Sequence, residues 1–385
     1  MRVLVVGAGM YVTGRGTGGI GTLLPALVQF SCRHPLESVT VLATREAADS
    51  GVAEAASRTN DLLGADLSVR YRRLDGPIAN AVRAGEFDCA LVCVPDDLHY
   101  EVTAVLLELG LHCLVVKPFT PTLAEARDLV DAAQARGLHG AVEFHKRHDE
   151  QNLLVRRTLR EGRLGDPKYM MVGYSQRIDI PATVFRAWAA RTNIFQYLGV
   201  HYVDLIQWLT GYVPVRISAL GTRGTLSGQG VDTYDSVLAT IAWRPRAGGD
   251  EFVAQLAIGW IDPSVTPALS DQKFFLVGSR GRMDLDQTDR GVRLVTPEAG
   301  VETPNPHFSM VLGDGDELSF RGYGYRSVER FLLDAADIIA GRTTAAALDA
   351  ARPTFRQALV STAVVEAANA SLADHGAWKD VHVPN

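Results

Sequence analysis

The 385-residue chain carries only four cysteines, Cys32, Cys89, Cys93 and Cys113, and they show none of the paired spacings of a metal site. Cys89 and Cys93 lie inside an apolar run, where a thiol acts as a small buried hydrophobe, so no metal is expected. No apolar stretch is long enough to cross a bilayer, which argues against a membrane class. The first residues lack a basic flank, an apolar segment and a small-residue cleavage site, so the expectation is a cytoplasmic protein. An excess of positive charge is also missing. With 38 Lys and Arg against 44 Asp and Glu, the net charge of -6 offers no footprint for nucleic acid. What remains is an ordinary globular composition, 47% hydrophobic and 21% charged, in a chain long enough for two domains. Small molecules are the expected partners.

The chain's distinctive content begins at once. Met1 to Val6 reads as a buried strand, Gly7-Ala-Gly9 follows, and five more glycines occur by Gly21, before a Leu/Ala-rich helix. A buried parallel strand, a glycine turn and a helix start together make a dinucleotide phosphate site. The glycines admit close backbone approach, and the helix presents N–H groups and the positive end of its dipole. Val12 stands where the spacing G-x-G-x-x-G would place its third glycine, so Gly21 is the better candidate, with Thr22 to Leu27 as the helix it opens. The loop is then about nine residues longer than the ordinary spacing. Gly7, Gly9, Met10 and Gly21 are the expected phosphate contacts. The inserted Tyr11–Gly19, with Arg15, is expected to be either a cover over the ligand or a surface excursion.

Strands and helices alternate up to residue 147. Strands are expected at 39–43, 67–74, 89–94, 112–116 and 141–144, with helices at 46–63, 100–109 and from 122 to Gly137. This rhythm predicts an α/β Rossmann domain over 1–147, with ligands at the carboxyl ends of its strands. From 148 to 385 strand candidates follow one another, at 168–176, 215–223, 234–243, 252–260, 273–278 and 292–296. They predict an α+β substrate-binding and oligomerisation domain on a largely antiparallel open sheet. A helix over Asn193–Thr210 interrupts them, and two more close the chain, leaving open whether the last packs back on the first domain.

Two segments carry candidate chemistry. Lys117 follows Cys113 to Val116 at the ligand-facing end of a parallel strand, where a lysine can order the nicotinamide ribose and hydrogen-bond a reacting hydroxyl. On the Asn193–Thr210 helix, Tyr197, His201, Asp204 and Trp208 recur at intervals of four, three and four, on one face. His201 suits a proton carrier, because its reference pKa of about 6.5 lies near neutrality. Asp204 can orient it or bind a substrate hydroxyl. The second strand ends Ala43-Thr44-Arg45; Arg45 can pair with a 2′-phosphate and Thr44 can donate to it, which favours NADP(H) over NAD(H). Glu46 would favour NAD(H) if the strand ended one residue later. Trp188 and Arg191, Trp260 to Asp262, and Tyr323 to Tyr325 offer stacking and polar groups for a substrate, but each also suits a core or interface.

These segments carry a family resemblance. The glycine loop, Val94-Pro95-Asp-Asp-Leu-His99, Val116-Lys117-Pro118, Val142-Glu-Phe-His-Lys-Arg147 and Leu198-Gly-Val-His201-Tyr-Val-Asp204 together resemble the glucose-fructose oxidoreductase, inositol dehydrogenase and MocA (Gfo/Idh/MocA) family. The resemblance implies reversible hydride transfer between NAD(P) and a hydroxyl-bearing carbon of a sugar, cyclitol or nucleotide sugar. It adds Pro95 and His99 to the cofactor contacts, and Trp188 and Arg191 stand with Asp204 and His201 as substrate candidates. It also implies a homodimer or homotetramer formed through the C-terminal sheet. Some members run redox-neutral epimerisation, elimination or glycoside cleavage, and a non-catalytic cofactor sensor is a further alternative. Three departures stand out: Val116 replaces an acidic neighbour of the lysine, Tyr197 replaces an Asp four residues before the histidine, and the glycine loop is longer. His201 is therefore the first acid/base candidate, with Lys117 assisting and Tyr197 orienting.

Overall fold

In a computed structural model, all residues are described except Gly18, Ala47, Asp316 and Asn385; Gly18 belongs to the inserted segment, whose other residues are described. The chain forms two compact units. One comprises Met1–Thr120, Ala124–His148 and His307–Ala358, the other Pro121–Leu123, Asp149–Pro306 and Leu359–Asn385.

The first unit is built on six parallel strands: β1 (Arg2–Val6), β2 (Ser38–Ala43), β3 (Val69–Arg73), β4 (Cys89–Val92), β5 (His112–Val116) and β6 (Gly140–Glu143). Their order is β3-β2-β1-β4-β5-β6. The order reverses at β1, which pairs with both β2 and β4, so the glycine loop leaves the sheet at the crevice where such folds bind ligands. The central strands are continuous apolar runs, and Val3, Leu4, Val5, Ala90, Leu91 and Val92 are fully buried. Strands covered on both faces have no need of alternation. One side of this core is filled by the helices Leu23–Ser31 and Tyr323–Ile339. The edge strand β3 carries Arg70, Arg72 and Arg73, charges that suit a strand with one unpaired side.

The inserted loop differs from expectation. A helical turn, Met10–Thr13, starts immediately after Gly9, and a second helix, Leu23–Ser31, follows the excursion. Val12 is buried in the core, which holds that first turn against the sheet. The Thr22 N–H donates to the Tyr11 carbonyl at 2.9 Å, so the chain returns to the turn it left. Gly14 and Gly21 both have positive φ and lie back to back; a Cβ on Gly14 would stand 2.2 Å from the Gly19 carbonyl oxygen. Gly21 therefore closes the excursion and stands directly before Thr22, the N-cap of the helix Leu23–Ser31; only glycines permit this close backbone contact.

The second unit holds a seven-stranded sheet of β7 (Pro167–Arg177), β8 (Val213–Thr222), β9 (Ser236–Arg244), β10 (Phe252–Asp262), β11 (Ser270–Gly278), β12 (Arg282–Asp286) and the short strand Lys379–Asp380. The order is β12-β11-β7-β10-β9-β8 followed by Lys379–Asp380, and all pairs are antiparallel except β7 with β10. Burial alternates along β7 and β10, giving one covered face. The helix expected over Asn193–Thr210 is broken in two: a π-helical turn, Phe195–Gly199, precedes the α-helix Val200–Thr210. The Asn193 side chain accepts from the Gln196 N–H at 3.0 Å, so the segment starts as a turn. Among the described residues no helix is long and apolar enough to cross a membrane.

Candidate functional site

The glycine loop has the shape a pyrophosphate needs. Gly7 has φ +109°, and a Cβ there would lie 2.2 Å from the Cys93 carbonyl oxygen, so the loop is pressed against the turn after β4. At Gly9 the position of a Cβ meets no atom within 4 Å, which leaves the backbone open on that side. Gly9 also caps the Met10–Thr13 turn, whose leading N–H groups have no acceptor within the helix. These features fit a dinucleotide whose phosphates contact main chain.

Beside this loop, Gly14, Arg15, Gly16, Thr17 and Gly19 and the helix Ala48–Leu63 line a cavity of about 240 Å³. Arg58 crosses it and donates to the Gly19 carbonyl at 3.2 Å. Arg15 lies in its wall; burial lowers its pKa, and repulsion from Arg45 adds to the fall, so the two cations face a common region. Thr44 and Arg45 are exposed directly after β2. Glu46, the residue that favours NAD(H), is paired with Arg73 at 3.0 Å on the surface.

At the ends of β5 and β6 the structure gathers titratable groups. Val116 and Glu143 are register partners, so Lys117 follows β5 directly beside the end of β6; the Lys117–Pro118 peptide is cis. Lys117 retains some exposure as a residue, but its charged end faces protein. Burial pushes the ammonium down to about 7 and Lys146 adds to the fall, while Glu143 and Asp96 oppose it. The acidic neighbour missing at Val116 in the sequence is thus supplied across the sheet by Glu143. Pro95 caps the turn Asp96–Leu98, which leads into His99. His99 is buried, with Nε2 3.0 Å from the Val94 carbonyl and Nδ1 2.7 Å from that of Pro118. The ring lies between the turn after β4 and the segment that carries Lys117, and the nitrogen that holds the proton donates to the carbonyl it faces, so His99 ties those two segments together.

The second unit holds the other candidates. Tyr197, in the π-helical turn, stacks on Trp260 with ring centres 5.3 Å apart and meets Trp188 edge-on at 6.0 Å. Trp260 is fully buried and its indole N–H donates to Gln176 at 2.9 Å, so it is a core wall of this cluster. His201 and Asp204 are both buried, 3% and 1% exposed, on the helix Val200–Thr210. Trp208 goes elsewhere, under the Arg156 guanidinium at 4.1 Å. Arg191 is exposed in the turn after Trp188. Tyr325 is buried in the first unit with its hydroxyl on Glu329, which makes it core.

Glu143 and His145 lie in the motif at 142–147, and Tyr11 in the inserted loop, but no individual role for them follows from the sequence. The signal was present in Glu143, a carboxylate ending an apolar strand next to the strand that leads to Lys117, but the pairing of those strands is visible only in the sheet. Among the described residues no group of three or more His, Cys, Asp or Glu is placed to hold a metal.

Comparison with known proteins agrees with this architecture. Residues 1–144 match the model of the oxidoreductase family with an NAD-binding Rossmann fold, and residues 153–284 match the GFO/IDH/MocA C-terminal domain. The rhizopine catabolism protein MocA of Rhizobium meliloti is 27% identical over 48% of this chain and 58% of its own length. The UDP-N-acetylglucosamine 3-dehydrogenase of Acidithiobacillus ferrooxidans is 30% identical over 41% of this chain and 46% of its own length. The chain thus spans about half the length of these curated relatives. Among solved structures, myo-inositol 2-dehydrogenase of Lactobacillus plantarum has a TM-score of 0.68 at 17% identity, covering 99% of both chains. The WlbA dehydrogenase of Bordetella pertussis, in complex with NADH and UDP-GlcNAcA, has the same score and identity, covering 100% of this chain and 99% of its own. These structural likenesses establish the fold. With both of its domains matched and the glycine loop leaving β1 at the reversal of a six-stranded parallel sheet, the chain belongs to the Gfo/Idh/MocA oxidoreductase family.

Proposed function

We propose that this protein is a cytoplasmic NADP(H)-dependent dehydrogenase or reductase acting on a hydroxyl or keto carbon of a sugar, cyclitol or nucleotide sugar. The observation that carries the reading is the placement of Lys117 at the carboxyl end of a parallel strand in a dinucleotide-binding unit, beside Glu143 at the end of the next strand, with burial of its charged end pushing the ammonium down to about 7. The names of the relatives support the substrate class. The bound dinucleotide supplies hydride chemistry. Gly7 and Gly9 hold its phosphates against main chain, with Met10 on the same turn. His201 carries the proton to or from the substrate oxygen, Lys117 assists it, and Tyr197 orients the reacting group. Asp204, Trp188 and Arg191 contact the substrate. A panel of sugars, cyclitols and nucleotide sugars incubated with NADP⁺ or NADPH tests this: reduced-cofactor absorbance should change in step with product. Product without net absorbance change would replace the reading with a redox-neutral reaction.

Cofactor preference rests on Arg45 and Thr44, with Arg15 facing the same region and Glu46 engaged by Arg73. Fluorescence titration is expected to give tighter binding of NADPH than of NADH. Arg45→Ala should weaken NADPH by about tenfold or more and leave NADH nearly unchanged, since a charge-assisted bond to phosphate is worth about 1.5–3 kcal/mol. Tighter NADH binding by the unaltered protein would reverse the assignment. The uncovered sheet face exposes Tyr169, Met171, Leu220, Leu238 and Val253, which supports a homodimer or homotetramer through that sheet. A monomeric mass by light scattering would remove that part of the proposal.

A further inference from the structure

We propose that Glu143 is a positioning residue that keeps the proton on Lys117, and that Tyr11 of the inserted loop and His145 hold its carboxylate in place. This rests on the reading of Lys117 as a proton-handling group. Glu143 ends β6 opposite Val116, one residue before Lys117, and is 2% exposed. Its Oε2 lies 2.9 Å from His145 Nδ1, which donates to it when that nitrogen carries the proton. The His145 ring is in turn walled by Tyr323 at 5.5 Å, Tyr11 at 6.5 Å, both near-parallel to it, and Phe308 at 5.2 Å. The carboxylate therefore cannot swing away without disturbing an aromatic cluster. Its other oxygen, Oε1, and the Tyr11 hydroxyl are both buried and meet no partner at regular hydrogen-bond geometry among the described residues. They nonetheless sense each other: burial pushes the Tyr11 phenol well up, and the Glu143 charge pushes it further. Burial and the same carboxylate also raise the Cys93 thiol.

The groups acting on Lys117 come from the end of β6 and from two turns. Glu143 and Asp96 favour its charged form, whereas Lys146 and burial oppose it. Asp96 lies in the turn after β4, and Lys146 in the turn His145–His148. Without Glu143, burial and a second ammonium would act against Asp96 alone, and Lys117 would be largely neutral at neutral pH.

The chain has only five lysines, at 117, 146, 168, 273 and 379, so each can be followed by NMR in lysine-labelled protein without any substrate. Lys117→Arg assigns the signal. In Glu143→Gln, which keeps the shape and an acceptor for His145, the Lys117 midpoint is expected to fall by about 1 unit or more, the usual effect of losing a close opposite charge. Glu143→Asp keeps the charge and should stay nearer the unaltered protein, and Tyr11→Phe should shift the midpoint in the same direction as Glu143→Gln by less. The signals of Lys168, Lys273 and Lys379, which lie in the other unit, should hold their midpoints. A folded Glu143→Gln protein in which Lys117 titrates unchanged would overturn the proposal, as would, if Gln does not fold, a Tyr11→Phe protein in which Lys117 titrates unchanged. A shifted midpoint with no turnover on any substrate would leave it standing while sinking the dehydrogenase reading. Turnover with an unmoved midpoint would do the opposite.

Discussion

Lys117→Met is expected to lower turnover by about 10²–10⁴-fold, the range contributed by a positioned proton-transfer group, while cofactor affinity falls much less. Lys117→Arg sharpens the result. Arginine keeps the positive charge but cannot release a proton near neutrality. If it too is inactive, the proton matters; if it restores turnover, Lys117 serves only as a charge for substrate or cofactor. The pH dependence has a definite sign. Below about 7 the Lys117 ammonium is protonated and above that it is neutral. A reduction that needs a donor should lose rate as pH rises through that range, and the reverse oxidation, which needs an acceptor, should gain it. His201→Asn should also reduce turnover and leave cofactor binding largely intact, because His201 belongs to the unit that does not carry the glycine loop. Stopped-flow absorbance at the reduced-cofactor band measures all three variants; unchanged turnover in folded protein would refute the assigned chemistry.

Asp149→Ala is expected to destabilise the second unit by about 3–5 kcal/mol, the cost of leaving one partner of a buried ion pair alone. Asp149 is fully buried, and its two oxygens accept from Arg290 at 2.6 and 3.2 Å, with the Arg290 side chain 1% exposed. The same carboxylate caps the helix Glu150–Arg160 by accepting from the Gln151 N–H at 3.1 Å. Gln287 extends the network, donating to Asn152 at 2.8 Å and accepting from the Tyr202 hydroxyl at 2.8 Å. Truncation would take the carboxylate away from a buried guanidinium and remove a helix cap at once. Asp149→Asn keeps an acceptor at the cap and should cost less. Urea unfolding followed by tryptophan fluorescence suits this measurement, because all five tryptophans lie in the second unit. A transition at unchanged urea concentration in Asp149→Ala would show that Arg290 finds other compensation.

The alternating part of the chain was legible because its signals are local. A strand covered on both faces has to be apolar throughout, and a glycine run after such a strand has few other uses. Those two facts make the parallel sheet and the dinucleotide loop readable from the sequence. The antiparallel character of the second sheet could be read from successive strands, but not the parallel pairing of β7 with β10, since those strands are separated by β8 and β9 in the chain. The helix expected over Asn193–Thr210 shows a different limit. Its spacing was helical, but a π-helical turn leaves nearly the same sequence trace as an α-helical one.

The amino-acid order alone determined the class of fold, the cofactor loop and which strand would present a lysine, because each depends on periodicity or on backbone freedom within a few residues. Only the tertiary structure decided the surroundings of that lysine. It set Gly14 and Gly21 back to back to close the loop after Gly9, placed His99 against main-chain carbonyls, and brought Glu143 opposite Val116 from a strand 27 residues away in register. A charge acts through space, and the distance that sets a pKa is fixed by strand pairing and burial, neither of which is written in the spacing of residues along one segment.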